Sequence, residues 1–281
     1  MFYPRTFKLA AAALVAVLGL SARGQEATSP EVIVSAARLP DAESAAPFNV
    51  TSVDAEELRR APQLRLDDIL RAEAPGFSLF RRTSSRTANP TTQGVTLRNF
   101  GPSGAGRTLV LLDGIPLNDP FAGYVLWSQV PSASLQSVLV QPGSGAGLFG
   151  NSALAGTIFL VSKPIESSAF SAIGSIGNAE TYEASVDGAF TRGPLALAVF
   201  ADRFSTGGYP VIAPNQRGSI DRNAQSESSL FDLRGAWEPN AETSIVARAR
   251  WFAETRGNGT PFTRNETVAS DFSLSLTRKI P

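Results

Sequence analysis

The sequence predicts an exported β protein in two parts: an α+β part with a small mixed sheet and short helices, then the opening strands of an antiparallel β-barrel. Three observations carry this. Arg107 to Lys163 alternates short β-prone runs with glycine-dense turns. After Lys163-Pro164 the texture changes to segments in which apolar and polar residues alternate, the period of a half-buried strand. The composition, with 43% hydrophobic residues, 24 glycines and 19 prolines among 281 residues, suits a turn-rich β protein.

The chain opens with Arg5 and Lys8, the apolar run Leu9 to Leu20, and small residues at Ser21, Ala22 and Gly24. This is the pattern of a secretory leader over 1–24, with cleavage expected after Gly24. The run is shorter than the roughly 20 residues a spanning helix needs. Gln25 to about Pro40 reads as a polar extension containing one β-prone heptad, Glu31-Val32-Ile33-Val34-Ser35-Ala36-Ala37.

Composition excludes several chemistries. With no His and no Cys there is no Ser-His-Asp triad, no thiolate nucleophile and no His- or Cys-ligated zinc. Lys plus Arg equals Asp plus Glu at 25 each, so nothing favours nucleic acid as a partner. No metal site and no cofactor is expected.

Asn49 to Val53 is strand-like, and Asp54 is placed to cap a helical turn holding Glu56, Glu57 and Leu58. Gln63 to Ala72 has Leu66, Ile69 and Leu70 at helical spacing, and Pro75-Gly76 stops it. The acids and arginines of both helices read as solvated faces. Phe80 to Pro90 is a polar loop with Arg81, Arg82 and Arg86, and Gly94 to Arg98 returns to strand.

Thr108 to Leu112 is a β-prone run closed by Asp113-Gly114, a pair that tolerates positive φ in a tight hairpin; Asp113 is therefore read as a turn residue. Ser137 to Val140 and Thr157 to Val161 are further strands. Between them, Gly145-Ala146-Gly147-Leu148-Phe149-Gly150 matches the G-x-G-x-x-G dinucleotide fingerprint. That site requires a crossover helix after its third glycine, and Gly156 with the next strand leaves no room for one, so an enzyme is disfavoured.

Several motifs agree in order and spacing: Leu109-Val110-Leu111-Leu112-Asp113-Gly114-Ile115-Pro116-Leu117-Asn118-Asp119-Pro120, Trp127-Ser128-Gln129-Val130-Pro131, Leu148-Phe149-Gly150 and Ala153-Leu154-Ala155-Gly156-Thr157-Ile158. Together they resemble the plug domain of TonB-dependent outer-membrane receptors, strongly from about Glu31 to Lys163. The resemblance implies a plug over 41–164 and a transmembrane barrel beginning at 165. It makes Glu31 to Ala37 the TonB box, a segment that pairs by strand addition with an exposed sheet edge of a periplasmic partner, the alternative being an ordinary N-terminal strand of the plug. It sets the 80–90 loop and Asn118 to Trp127 at the outward apex, where Arg81, Arg82 and Arg86 would meet an anionic ligand and Phe121, Tyr124 and Trp127 an apolar or conjugated one. The alternative for that apex is a solvated loop with aromatics packed on the wall. Arg98, Asp113, Gly114, Gly143, Gly150 and Gly156 are then structural positions of the plug. Two departures stand out: Arg98-Asn99 and Pro142-Gly143 occupy places where the family commonly has Arg-Gly.

The same resemblance implies import of a scarce ligand such as a ferric siderophore, cobalamin or another metal chelate. The expected partners are TonB, with ExbB and ExbD behind it, and outer-membrane lipid, with the N-terminus in the periplasm.

In the barrel part, Ala184, Val186, Gly188 and Phe190 share one strand face; so do Phe231, Leu233, Gly235 and Trp237, then Ile245, Ala247, Ala249 and Trp251, then Phe272, Leu274 and Leu276. One apolar and one polar face is the outer-membrane barrel signature, though a soluble β-sandwich or other exported interaction domain alternates in the same way. Short turns are expected at Arg192-Gly193-Pro194 and Glu238 to Thr243, a long loop at Ser205 to Ser228 and an intermediate one at Glu254 to Thr267. Strands of roughly 9 to 11 residues would cross a bilayer. About six strands end near Arg278, too few to enclose a plug, where large transporters of this kind have 22. The sequence-level expectation is a truncated or partial receptor that would not transport as it stands.

Overall fold

The computed structural model describes residues 50–81, 84–87, 94–98, 106–143 and 146–279. Strand β1 (Thr51–Asp54) leads directly into helix α1 (Ala55–Arg60). Asp54 closes a complete capping box: its Oδ1 accepts the N–H groups of Glu56 and Glu57, and its own N–H donates to Glu57 Oε2. Helix α2 (Leu66–Glu73) starts later than periodicity suggests, because Arg65 has extended backbone and sends its guanidinium 3.8 Å over the Phe204 ring. A tertiary contact sets this helix boundary.

Strands β2 (Phe77–Phe80) and β3 (Gly94–Leu97) form a separate antiparallel ribbon. The small sheet is completed by β4 (Thr108–Leu112), β5 (Ile115–Pro116), β6 (Leu135–Pro142) and β7 (Gly156–Ser162), in the order β1-β6-β7-β4-β5. Only β4 and β7 run parallel. Both faces of the sheet are covered, which explains why β4 and β7 are near-continuous apolar runs. On one face Val110, Val138, Val140, Ile158 and Leu160 pack with Leu66, Ile69 and Leu70 of α2. On the other, Leu109, Leu111 and Phe159 pack with Ala153 and Phe149. Helix α3 (Ala146–Phe149) is a single turn, and β6 and β7 on either side of it are antiparallel, so the glycine fingerprint has no βαβ unit to serve.

Six further strands form one antiparallel sheet in sequence order: β8 (Ala169–Gly177), β9 (Thr181–Arg192), β10 (Leu195–Pro210), β11 (Asn223–Asn240), β12 (Thr243–Gly257) and β13 (Arg264–Arg278). Register places the alternating apolar residues in common rows. Val186 pairs with Ala201, Ala201 with Phe231, and Phe231 with Trp251. Val199, Leu233, Ala249 and Phe272 form the next row. The opposite face carries Ser185, Asp202, Asp232, Arg248, Arg250 and Glu254, all buried. Among the described residues, no helix is long and apolar enough to cross a membrane.

Strands β9 to β13 are longer than a bilayer requires. β10 continues to Pro210 and β11 begins at Asn223, which leaves 211–222 where a longer loop was expected; the second loop likewise shrinks to 258–263. The Gly-rich stretch in β10 is a bulge: register shifts between Thr206 and Tyr209, and Gly208 at φ +67 would put a Cβ 1.9 Å from the Ala224 carbonyl oxygen. Glycine here bends a continuing ladder.

Gly156 is equally constrained. At φ +143 its Cβ would lie 2.4 Å from the Gln141 carbonyl oxygen and 2.6 Å from Leu97 Cδ1. Gly156→Ala should destabilise the small sheet by about 1–3 kcal/mol, read as a lowered denaturant midpoint.

Candidate functional site

The apex residues are built on two connections. After the β4–β5 hairpin, the chain makes a tight turn closed by the isolated bridge between Asn118 and Val125. Asn118 holds it to β4: its Oδ1 accepts the Val110 N–H at 2.8 Å and its Nδ2 donates to the Thr108 carbonyl at 3.0 Å. Asp119 Oδ1 accepts the N–H groups of Phe121 and Ala122, and Asp119 N–H donates to the Tyr124 carbonyl. This rigid turn projects Phe121 into solvent at 100% relative exposure. Tyr124 is half-buried, and its hydroxyl pKa is raised by burial and then by the neighbouring Asp119 carboxylate. Trp127 points the other way: it is 1% exposed and meets Phe77 edge-on at 6.0 Å.

The second connection begins at Arg81. Its guanidinium pairs with Asp67 and Asp68 in the first turn of α2. Ser85 Oγ donates to Asp67 Oδ1 at 2.7 Å and Ser84 Oγ to Asp68 Oδ2 at 3.0 Å, so both carboxylates clamp the root of the loop. Burial raises the Asp67 carboxyl pKa, opposed by Arg81 and by the Ser85 hydroxyl. Arg86 Nη2 donates to Thr181 Oγ1 at 2.7 Å on the large sheet. The six residues expected at the apex are thus not brought onto one surface. Phe121 and Tyr124 share a turn, Arg81 and Trp127 are withdrawn, Arg86 holds the wall, and Arg82 lies outside the described residues. So do the leader and Glu31 to Ala37.

The acids of α2 were read as solvated, and Asp67 corrects this with 0% exposure. It flanks the Leu66–Ile69–Leu70 stripe, so helical periodicity leaves it at the margin, and only the arrival of Arg81 buries it. Asp113 also does more than turn the chain. It has φ +47 and Gly114 φ +86, the backbone of a type I′ hairpin. Its Oδ1 accepts the Ser162 N–H at 2.9 Å, and its Oδ2 accepts from Arg248 Nη1 at 2.6 Å. Arg248 simultaneously pairs with Asp232. Arg98, by contrast, has φ +54 and an exposed side chain, and its N–H donates to the Gly76 carbonyl. Gly143 and Gly150 adopt positive φ with open space around them.

Wall arginines also complete the hydrogen bonding of the small sheet's connections. Arg250 Nη2 donates to the Gln129 carbonyl at 2.5 Å and Arg234 Nη1 to the Lys163 carbonyl at 2.7 Å. Two ion pairs among the described residues link the two sheets. Lys163–Asp187 has side chains 32% and 21% exposed, and such wetted pairs contribute about 0–1 kcal/mol. Asp113–Arg248 is only 11% and 7% exposed. Removing one partner of a buried pair costs about 3–5 kcal/mol, reduced here because Arg248 keeps Asp232.

Trp127→Ala should cost about 3–5 kcal/mol in denaturant unfolding, the range for emptying a large core position. Phe121→Ala should stay within about 0.5 kcal/mol, so any binding loss it causes reads directly as a lost contact.

Residues 42–157 match the family model described as the TonB-dependent receptor plug domain. The vitamin B12 transporter BtuB of Vibrio vulnificus (strain CMCP6) is 24% identical over 261 residues, which is 89% of this chain and 40% of the transporter. Among solved structures, a mutant of the ferric enterobactin receptor PfeA from Pseudomonas aeruginosa aligns with TM-score 0.62 and 19% identity, covering 85% of this chain and 39% of the receptor. The copper transporter OprC aligns with TM-score 0.63 and 16% identity, over 82% of this chain and 35% of its own. The chain therefore spans about two fifths of the length of these relatives, which are transporters and receptors, not enzymes. Residues 42–157 are thus a plug domain of the kind found in TonB-dependent receptors, and the six-stranded sheet behind it shares the fold of the solved receptors.

Proposed function

We propose that this chain is the plug and opening wall of an outer-membrane receptor that takes up a scarce small molecule, a metal chelate such as a ferric siderophore or cobalamin, with energy delivered through TonB. The carrying observation is the two-faced wall. Its outward rows are apolar from Phe170 on β8 to Leu276 on β13, while the inward rows of β9 to β12 carry the buried Ser185, Asp202, Asp232, Arg248, Arg250 and Glu254. An apolar exterior opposite a polar interior is the pattern of a strand wall that faces lipid. The names of the relatives span vitamin B12, ferric enterobactin and copper, which supports a metal-bearing ligand without selecting one.

In this reading the ligand docks at the apex, with Phe121 and Tyr124 supplying flat apolar contact. Arg86, held on Thr181, ties the 84–87 segment to the wall. Glu31 to Ala37 acts as the handle: energised TonB pairs with it as an added strand and pulls, and the mechanical work rearranges the plug. No bond of the ligand is made or broken.

A pull-down of the mature chain with the C-terminal domain of TonB tests the handle. Val34→Pro removes a backbone donor from the added strand and should abolish capture of the chain, whereas Val34→Ala should retain it. Equal capture of the proline variant would remove Glu31 to Ala37 from the mechanism.

A further inference from the structure

The Arg65 side chain is fully buried, yet among the described residues none of its three guanidinium nitrogens has a hydrogen-bond partner. Buried donors are almost always satisfied, so this one calls for a reason. What the guanidinium meets is the wall: it stands 3.8 Å over the Phe204 ring. In the strand register Phe204 lies between Glu183 on β9 and Ser228 on β11, and Ser228 in turn faces Glu254 on β12. Asp202 precedes Phe204 by two residues on the same buried face of β10. Glu183, Asp202 and Glu254 all act on Arg65 as favourable charges, but none of them hydrogen-bonds to it. The other cations nearby are engaged: Arg256 Nη2 donates to Glu254 Oε1 at 2.7 Å, and Arg86, which also faces Glu183, is held on Thr181. That leaves Glu183 and Asp202, the latter accepting from Ser185 Oγ, on either side of the cation over the ring.

An aromatic face flanked by carboxylates is an arrangement that recognises guanidinium and ammonium groups. Two carboxylates beside a ring suit an organic cation better than a calcium or magnesium ion, which needs about six oxygen ligands. We propose that Phe204, Glu183 and Asp202 form a cation-binding subsite on the inner wall, filled here by the plug's own Arg65 and taken during uptake by a guanidinium or ammonium group of the imported molecule. Arg65 acts as a tethered stand-in. It matches the subsite in charge and in its stacking on the ring, while a free cation able to reach Glu183 or Asp202 directly gains hydrogen bonds that Arg65 does not make. Once Arg65 leaves, two carboxylates are short of a counter-charge in a buried setting, which favours capture of another cation. Arg65 also immediately precedes α2, whose Asp67 and Asp68 hold Arg81 at the root of the apex loop, so the stand-in and that loop share one helix end. The proposal rests on the reading of the chain as plug and wall of a receptor, and it adds a charge to the molecule that receptor takes up.

Arg65→Ala empties the subsite, and Arg65→Met does so at closer to the original volume should the alanine chain not fold. Calorimetry in detergent should show either variant binding methylguanidinium, whereas N-methylurea, similar in shape and neutral, should not bind. Adding Glu183→Gln or Phe204→Leu to Arg65→Ala should weaken methylguanidinium binding on the order of tenfold. The unsubstituted chain should bind the same probe on the order of tenfold more weakly than Arg65→Ala, because Arg65 occupies the subsite for most of the time. Equal affinity for N-methylurea, or binding indifferent to both Glu183→Gln and Phe204→Leu, would overturn the subsite. No binding to the unsubstituted chain would overturn it as well, since Arg65 would then be a fixed tie between plug and wall. The assay uses neither TonB nor the imported molecule, so its failure and that of the pull-down are separate results.

Discussion

Arg248 holds carboxylates from two different sheets at once, Asp113 of the plug and Asp232 of its own wall, and the rest of the assembly depends on interactions of this kind. A wall with a lipid-compatible exterior must turn its polar residues inward. Those residues are then removed from bulk water by whatever fills the interior. Charges buried without partners are too costly to persist, so the plug must supply partners at matching positions. It does so with the Asp113 carboxylate, the Lys163 ammonium and the carbonyls of Gln129 and Lys163.

The departure noted at Pro142-Gly143 gains meaning in this light. This chain has no arginine there, Arg98 is exposed, and the arginines that approach Asp113, Gln129 and Lys163 come from the wall. On the upper side the polarity is mixed: Arg65 is fully buried against Phe204, and burial lowers its pKa against the favourable field of Glu183. Arg86 there meets the hydroxyl pair Thr181 and Thr206. Hydroxyls and carbonyls cross the interface as well as ions, so it is joined without being fused into one apolar core. Such contacts separate at lower cost than interlocked side chains, which resist displacement through dense packing.

The apex shows a similar division. Phe121 is held out by backbone bonds of its own turn, so its exposure comes from local geometry. Trp127, only six residues on, is absorbed into the main core because the chain has by then turned back under the sheet. Equal aromatic character thus leads to opposite roles, decided by which side of one turn each residue occupies.

Local chemistry was enough to read the Asp113-Gly114 hairpin, the Asp54 cap, the plug strands and the apolar rows of the wall, because each depends on the φ preferences, capping groups or two-residue period of a few neighbouring residues. Alternation even marked Arg248 and Arg250 as facing away from the apolar side. What the sequence could not supply was the identity of their partners. The pairing of Asp113 with Arg248, 135 positions apart, exists only once two sheets are packed together. The clamp of Asp67 on Arg81, the burial of Trp127 and the extra reach of β10 and β11 have the same origin. Burial and ion pairing are properties of surfaces that meet, and only the tertiary structure decides which surfaces those are.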